Sequence, residues 1–103
     1  MNESGVAVAK KPEERTTDDK GTPIMRIKVH SPYKTYFDGE AYSISAQNTT
    51  GPFDILAHHH NFMTLLQPCD LVIRPVHGQN ETVRISGGLM HVKADRATIF
   101  LDI

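Results

Sequence analysis

The chain has 103 residues, enough for one domain, with 11 basic and 12 acidic residues and a formal net charge of -1. This balance gives no electrostatic basis for binding nucleic acid or an anionic membrane surface. No apolar run approaches the roughly 20 residues of a membrane-spanning helix. With Cys69 as the single cysteine, an intrachain disulfide is excluded.

The first 23 residues differ in composition from the rest. Their nine charged side chains outnumber the two sizeable aliphatic ones, Val6 and Val8. Such a segment buries too little apolar surface to offset the entropy lost on ordering. We therefore predict a flexible polar arm over residues 1–23, followed by one folded domain over residues 24–103. The alternative is an arm that orders on a partner.

From Ile24 onward the sequence consists of short runs with β-strand character, divided by turn residues. Alternation of apolar and polar residues over Met25–His30 places three apolar side chains on one face of a strand, and Tyr42–Ala46 alternates in the same way. The stretch Asn61–Leu66 is either a strand or a short helical turn, because it is too short for periodicity to decide. The predicted strands are Met25–His30, Tyr42–Ala46, Phe53–Leu56, Leu71–Arg74, Thr82–Ile85, Leu89–Lys93 and Ala97–Leu101.

Turn residues separate these runs. The predicted turns and loops are Phe37–Gly39, Asn48–Pro52, Val76–Glu81 and Ala94–Asp95, and Gly87–Gly88 permits a bend or bulge. About eight short strands in roughly 80 residues are typical of a sandwich or barrel. We predict an all-β fold, a small two-sheet β-sandwich of about 8–10 short strands.

The run His58–His60 suggests a metal site, because three imidazoles could be zinc ligands. Adjacent side chains of an extended segment point to opposite faces, however, so the three rings do not converge easily. The nearest carboxylate in sequence is Asp54, and Cys69 has no second cysteine to pair with. We predict no metal and no cofactor, with a small metal-binding domain that uses His58–His60 as an alternative.

No pattern in the sequence points to catalysis. Ser86–Gly88 lacks the glycine two residues before the serine that a nucleophile elbow requires, and it is not a phosphate-binding loop. We predict no catalytic residues and no small-molecule ligand. The seven basic and seven acidic residues of positions 24–103 cancel, so a recognition surface should be mostly apolar and hydrogen-bonding, as protein partners require.

Two segments, in this order and spacing, resemble the N-terminal β-sandwich domain of the F-type ATP synthase epsilon-subunit family. Gly51–Pro68 is similar to that family's glycine, short apolar strand, Pro-Gly-His-Ala-Pro-Leu loop and apolar run, with His59 at the family's histidine. Ser86–Val92 is similar to its Ser-Gly-Gly and following strand. The resemblance covers residues 24–103 and departs from the family pattern at Ala57–His58, His60–Asn61 and Pro68–Cys69.

The resemblance implies a non-catalytic rotor-stalk subunit that couples the gamma subunit to the c-ring during proton- or sodium-driven ATP synthesis. It implies a peripheral position on the cytoplasmic face of a bacterial or organelle-type energy-transducing membrane. The contact residues implied for gamma are His58, His59, His60 and Asn61, and those implied for the c-ring are Asn48, Thr49, Thr50, Gly51 and Pro52.

The family's C-terminal helical hairpin is not matched, so the resemblance leads us to expect no inhibition of ATP hydrolysis by helix insertion. The same sandwich used as a protein-binding module outside ATP synthase is the alternative function.

Overall fold

The computed structural model describes residues 15–102, which form eight β-strands and no helix. The strands are β1 (Met25–His30), β2 (Thr35–Asn48), β3 (Gly51–Leu56), β4 (Phe62–Leu66), β5 (Cys69–Pro75), β6 (Glu81–Ile85), β7 (Gly88–Lys93) and β8 (Arg96–Leu101). The predicted all-β fold is confirmed, and the ambiguous stretch Asn61–Leu66 contains a strand. Within residues 15–102 there is no helix with the length and apolar character to cross a membrane.

Hydrogen bonds join the strands in the order β4-β7-β8-β1-β2-β5-β6, and β3 also pairs with β2. The long strand β2 is shared, because its first half pairs with β1 and its second half with β3 and β5. The sheet therefore folds over at β2 into two layers. The first layer holds β4, β7, β8 and β1, and the second layer holds β3, β5 and β6.

A register shift in β2 marks the passage from one layer to the other. It lies between Ala41 and Ser43 in the pairing with β5. Ala41 is buried before the shift, and Ile44 and Ala46 are buried after it. Tyr42, which we predicted on the same face as Ile44 and Ala46, is half-exposed instead. One extra residue at a bulge reverses the alternation, and the sequence pattern does not reveal it.

The turn predicted at Phe37–Gly39 is wrong, because these residues lie inside β2. Asp38 pairs with Lys28 and Gly39 with Ile27 in an antiparallel ladder, while Phe37 packs against the core. The ladder and the packing of the partly buried Phe37 ring outweigh the turn preference of an Asp-Gly pair. The predicted turn at Ala94–Asp95 is present between β7 and β8, and both of its residues have positive φ.

One hydrophobic cluster lies between the layers, and all eight strands contribute to it. The alternation of β1 sends Met25, Ile27 and Val29 inward, each at most 1% exposed. Burying such side chains stabilises the fold by about 1.5–3 kcal/mol each. The core therefore fixes which face of every strand remains available at the surface.

The Gly87–Gly88 pair lies where β7 begins beside the end of β8. Gly87 has a φ of +155°. At Gly88, an added Cβ would lie 2.5 Å from the carbonyl oxygen of Phe100. Gly88 is required here because the neighbouring backbone leaves no room for a side chain.

Residues 15–23, which we call the strap, are the described part of the predicted arm, and residues 1–14 lie outside the described residues. Thr17 forms an isolated antiparallel bridge with Pro23, so the strap turns back on itself just before β1. The flexibility predicted for residues 1–23 stays a prediction.

Two side-chain ties hold the strap against β2. The Arg15 guanidinium donates through Nε to both carboxylate oxygens of Glu40, over 3.2 and 3.1 Å. The Tyr42 hydroxyl donates to Asp18 Oδ2 over 2.6 Å. This bond lowers the pKa of Asp18 and raises the pKa of Tyr42, because it forms between a charged carboxylate and a neutral phenol.

Candidate functional site: two loops at opposite ends of strand β3

The implied gamma contact, His58–Asn61, lies in the loop of residues 57–61 between β3 and β4, which we call the three-His loop. His58 has a φ of +68°, a conformation that few residues with a side chain adopt. Its backbone amide donates to Asp95 Oδ1 over 2.6 Å, and its Nδ1 lies 3.7 Å from Asp95 Oδ2. Since Asp95 belongs to the β7–β8 turn, the turn and the loop hold each other in place.

The other two imidazoles face each other. The rings of His59 and His60 stack with centroids 4.3 Å apart, and Phe62 meets His59 edge-on at 5.4 Å. Between residues 15 and 102, no group of three or more His, Cys, Asp or Glu side chains is placed to hold a metal ion. The loop therefore presents an aromatic, hydrogen-bonding surface in which the three imidazoles do not converge.

The implied c-ring contact, Asn48–Pro52, comprises the last residue of β2, the two-residue turn of Thr49 and Thr50, and the first two residues of β3, so the turn is shorter than the predicted loop. Asn48 Oδ1 accepts a hydrogen bond from the Thr50 amide over 2.9 Å, an Asx turn that fixes the tip. The Asn48 side-chain amide donates to Thr64 Oγ1 over 3.2 Å and so ties the tip to β4. Gly51 has a φ of +127°, which a glycine adopts without strain. Both threonines at the tip are exposed.

These two loops lie at opposite ends of one strand. Gly51 begins β3 at the Asn48–Pro52 loop, and Leu56 ends it at the three-His loop. At about 3.3 Å per residue, β3 separates them by roughly 17 Å. The ladder to β2 runs along the whole strand, and Ile55 anchors it in the core at 1% exposure. The spacing between the two loops is therefore built into a hydrogen-bonded strand.

A third surface, which we did not predict, is the outward side of the first layer. Met63 and Leu65 of β4 are 60% and 70% exposed, and Phe100 of β8 is 45% exposed. Leu89 pairs with Leu65 on one side and with Phe100 on the other, so these three residues form one row across three strands, and Met63 lies two residues before Leu65 on the same face of β4. We call Met63, Leu65, Leu89 and Phe100 the apolar face. Met63 lies near the three-His loop, because β4 starts directly after that loop, whereas Leu65 lies toward the end of β4, beside Thr64, which is bonded to Asn48.

One sequence signal could have revealed the apolar face. A strand with one side in water needs apolar residues only at alternate positions. The β4 sequence Phe-Met-Thr-Leu-Leu is apolar at both alternations, and Phe100 sits between the buried Ile99 and Leu101 of β8. Apolar residues on both faces of a strand indicate a second contact surface.

Cys69, which we considered as a metal ligand, is 6% exposed at the start of β5. It pairs with Ile85 of β6 and belongs to the core cluster. A thiol in this position packs as a small apolar side chain and has little access to a substrate.

Comparison with known proteins identifies the family. The family model for the β-sandwich domain of the ATP synthase delta/epsilon chain matches residues 24–103. Similar curated proteins include the ATP synthase epsilon chains of Clostridium novyi, 30% identical over 78 residues, and of a Nostoc species, 33% identical over 79 residues. Each match covers 76% of this chain, which spans 60% and 58% of those relatives.

The fold is also similar to chains of two solved assemblies. One is the central stalk and c-ring of the Tetrahymena thermophila mitochondrial ATP synthase, with a TM-score of 0.61 and 24% identity over 75% of this chain and 62% of that chain. The other is the Euglena gracilis mitochondrial ATP synthase, with a TM-score of 0.70 and 20% identity over 98% of this chain and 64% of that chain.

The boundaries of the family match coincide with the sandwich, since the match begins at Ile24, one residue before β1. Its relatives carry the name that the motif resemblance suggested. The chain belongs to the β-sandwich domain family of the ATP synthase delta and epsilon chains, as an epsilon-type N-terminal domain, which confirms the resemblance.

Proposed function

We propose that this chain is a central-stalk subunit of an F-type ATP synthase that couples the gamma subunit to the c-ring. Gamma binds the three-His loop and the apolar face, and the c-ring binds the Asn48–Pro52 loop. The observation that supports this most strongly is the placement of the two loops at opposite ends of β3. A coupling element needs separated contacts on one stiff body, and a packed two-layer sandwich resists deformation.

The chemistry of each surface fits this assignment. The apolar face and the imidazoles offer the aromatic, weakly charged area typical of a protein interface core. The Asn48–Pro52 loop is small and polar at its tip, which suits a limited contact with backbone and side-chain groups. In this arrangement the chain is peripheral to a bacterial or organelle-type energy-transducing membrane, on its cytoplasmic side, and serves proton- or sodium-driven ATP synthesis.

Site-directed cross-linking tests this function. Because Cys69 is buried and is the only cysteine of the chain, a cysteine introduced at the surface accepts a photoactivatable label selectively. The labelled variants Thr50→Cys and His59→Cys, assembled with the gamma subunit and c-ring of the same organism, should cross-link to c and to gamma respectively. Thr82→Cys on the edge strand β6 is the control and should cross-link to neither.

Two outcomes of the cross-linking experiment would contradict the proposal. Exchanged partners for the two labels would show that the loops are assigned the wrong way round. Failure of the chain to associate with gamma and the c-ring under any condition would refute the coupling function and favour a binding module outside ATP synthase.

A further inference from the structure

The strap adds to the sandwich a surface that the family match does not include. The match begins at Ile24, whereas residues 15–23 precede it and are held on β2 by the Arg15–Glu40 ion pair, with Nη2 and Oε1 3.1 Å apart. The strap leads to the same end of the domain as the three-His loop. Thr22 and Pro23 of the strap face Ala57 and His58 of that loop across a pocket.

This pocket has a volume of about 220 Å³ and an almost wholly apolar lining. Its walls are formed by the strap, by β2, by the end of β3 and by the three-His loop. The lining residues are Thr22, Pro23, Tyr42, Leu56, Ala57 and His58. Sites for small-molecule ligands are larger, about 300–1,000 Å³, so the pocket has the size for one apolar side chain.

Both sides of the pocket are fixed before anything binds. On the strap side, Asp18 accepts hydrogen bonds from the Tyr42 hydroxyl over 2.6 Å and from the Thr22 amide over 2.8 Å. On the loop side, His58 is held by Asp95. A preformed pocket loses little conformational entropy on binding, which is a property of interface hot spots.

We infer that the strap and the three-His loop together form an anchor pocket for one aliphatic or aromatic side chain of the gamma subunit. This inference rests on the proposed gamma contact, because His58 belongs to both the pocket and that contact. The c-ring does not fit as occupant, since the pocket contains Leu56 at the far end of β3 from the Asn48–Pro52 loop. Leu56 is 56% exposed and gains an apolar neighbour when the pocket is filled.

The test is to fill the pocket in the full chain and to measure the affinity for purified gamma by calorimetry. Ala57→Phe places a ring in the pocket and should weaken binding at least about ten-fold, because hot-spot pockets carry a large share of the affinity. Thr82→Phe, the same large aromatic on the exposed edge strand β6, should leave the affinity unchanged. Leu56→Asp gives a second variant that does not depend on the fit of a phenylalanine ring.

Two outcomes overturn the inference. Unchanged affinity of both Ala57→Phe and Leu56→Asp, in a wild-type chain that does bind gamma, would refute the anchor pocket and leave the proposed function standing. Absence of gamma binding by the wild-type chain would refute the proposed function itself.

Discussion

The backbone amide of His58 and the carboxylate of Asp95 are joined by a hydrogen bond of 2.6 Å. Both residues have positive φ, +68° for His58 and +62° for Asp95. The bond therefore connects two positions whose backbone conformations are uncommon for residues with side chains. It fixes the three-His loop to the β7–β8 turn, although the two are 37 residues apart in sequence.

Loss of this bond should weaken the binding of gamma. Asp95→Gly removes the acceptor and tolerates the positive φ, so we expect the dissociation constant to rise about two- to ten-fold, the effect of one hydrogen bond. Asp95→Asn keeps an acceptor oxygen and also tolerates positive φ, so it should bind nearly as well as the wild type. Calorimetric titration of gamma measures both, and equal affinities for the two variants would contradict this role of Asp95.

The hydrogen bond between Asp18 and Tyr42 should persist only within a defined pH range. The pKa of Asp18 is lowered, so its contribution to the folded strap is present above about pH 4 and is lost as the pH falls through that lowered pKa. The pKa of Tyr42 is raised, so its contribution is present below about pH 10 and is lost as the pH rises through that raised pKa. The strap should therefore stay in place between about pH 4 and pH 10.

NMR signals of the Lys20 and Thr22 amides report this transition, because both amides donate to Asp18 Oδ1. Tyr42→Phe removes the hydroxyl that contributes most to lowering the pKa of Asp18, so the midpoint of the acid transition of the strap should move to a higher pH. Tyr33→Phe, at a side chain that is 92% exposed, is the control and should leave the midpoint in place. The same midpoint in the wild type and in Tyr42→Phe would disprove the tie.

Substitution of Gly88 should destabilise the sandwich. In Gly88→Ala the new Cβ would lie 2.5 Å from the Phe100 carbonyl oxygen, and relieving this overlap by shifting β7 or β8 should cost about 1–3 kcal/mol of unfolding free energy. Gly39→Ala is the matched control within β2, because its new Cβ would come no closer than 3.5 Å, to the Phe37 ring. Chemical denaturation compares the stability of the two variants. Equal denaturation midpoints would show that β7 and β8 accommodate the new Cβ without loss of stability.

Charge on the apolar face should weaken gamma binding without unfolding the domain. Leu65→Asp replaces a side chain that is 70% exposed, so it changes stability by only a few tenths of a kcal/mol. In a gamma interface the same carboxylate would be buried without a partner, and we expect at least about a ten-fold loss of affinity. Tyr33→Asp, also exposed but in the β1–β2 connection, should have no effect on affinity. Full affinity of Leu65→Asp would remove the apolar face from the proposed interface.

The strands were predictable wherever one local pattern determined them. Alternation in Met25–His30 and the turn at Ala94–Asp95 each required only neighbouring residues. The inclusion of Phe37–Gly39 in β2 was not predictable in this way, because it depends on pairing with β1. The reversed orientation of Tyr42 likewise depends on a bulge that only the partner strand β5 makes visible.

The candidate site was likewise predictable where it depended on a local motif and not where it depended on the fold. The motif placed the three-His loop and the Asn48–Pro52 loop in the sequence, but their opposite positions emerge only from the direction of β3. The apolar face combines residues of β4, β7 and β8 that are far apart in the chain. The composition predicted residues 15–23 only as part of a flexible arm and carries no information about their ties to Glu40 and Tyr42.

Strand β2 has a mechanical consequence. Since one continuous polypeptide passes from the first layer into the second, the layers cannot slide past each other without deforming β2 near Ala41–Ser43. A twisting load on the apolar face therefore reaches the Asn48–Pro52 loop through covalent bonds as well as through packed side chains. In the proposed position between gamma and the c-ring, this continuity limits the movement of the apolar face relative to the Asn48–Pro52 loop.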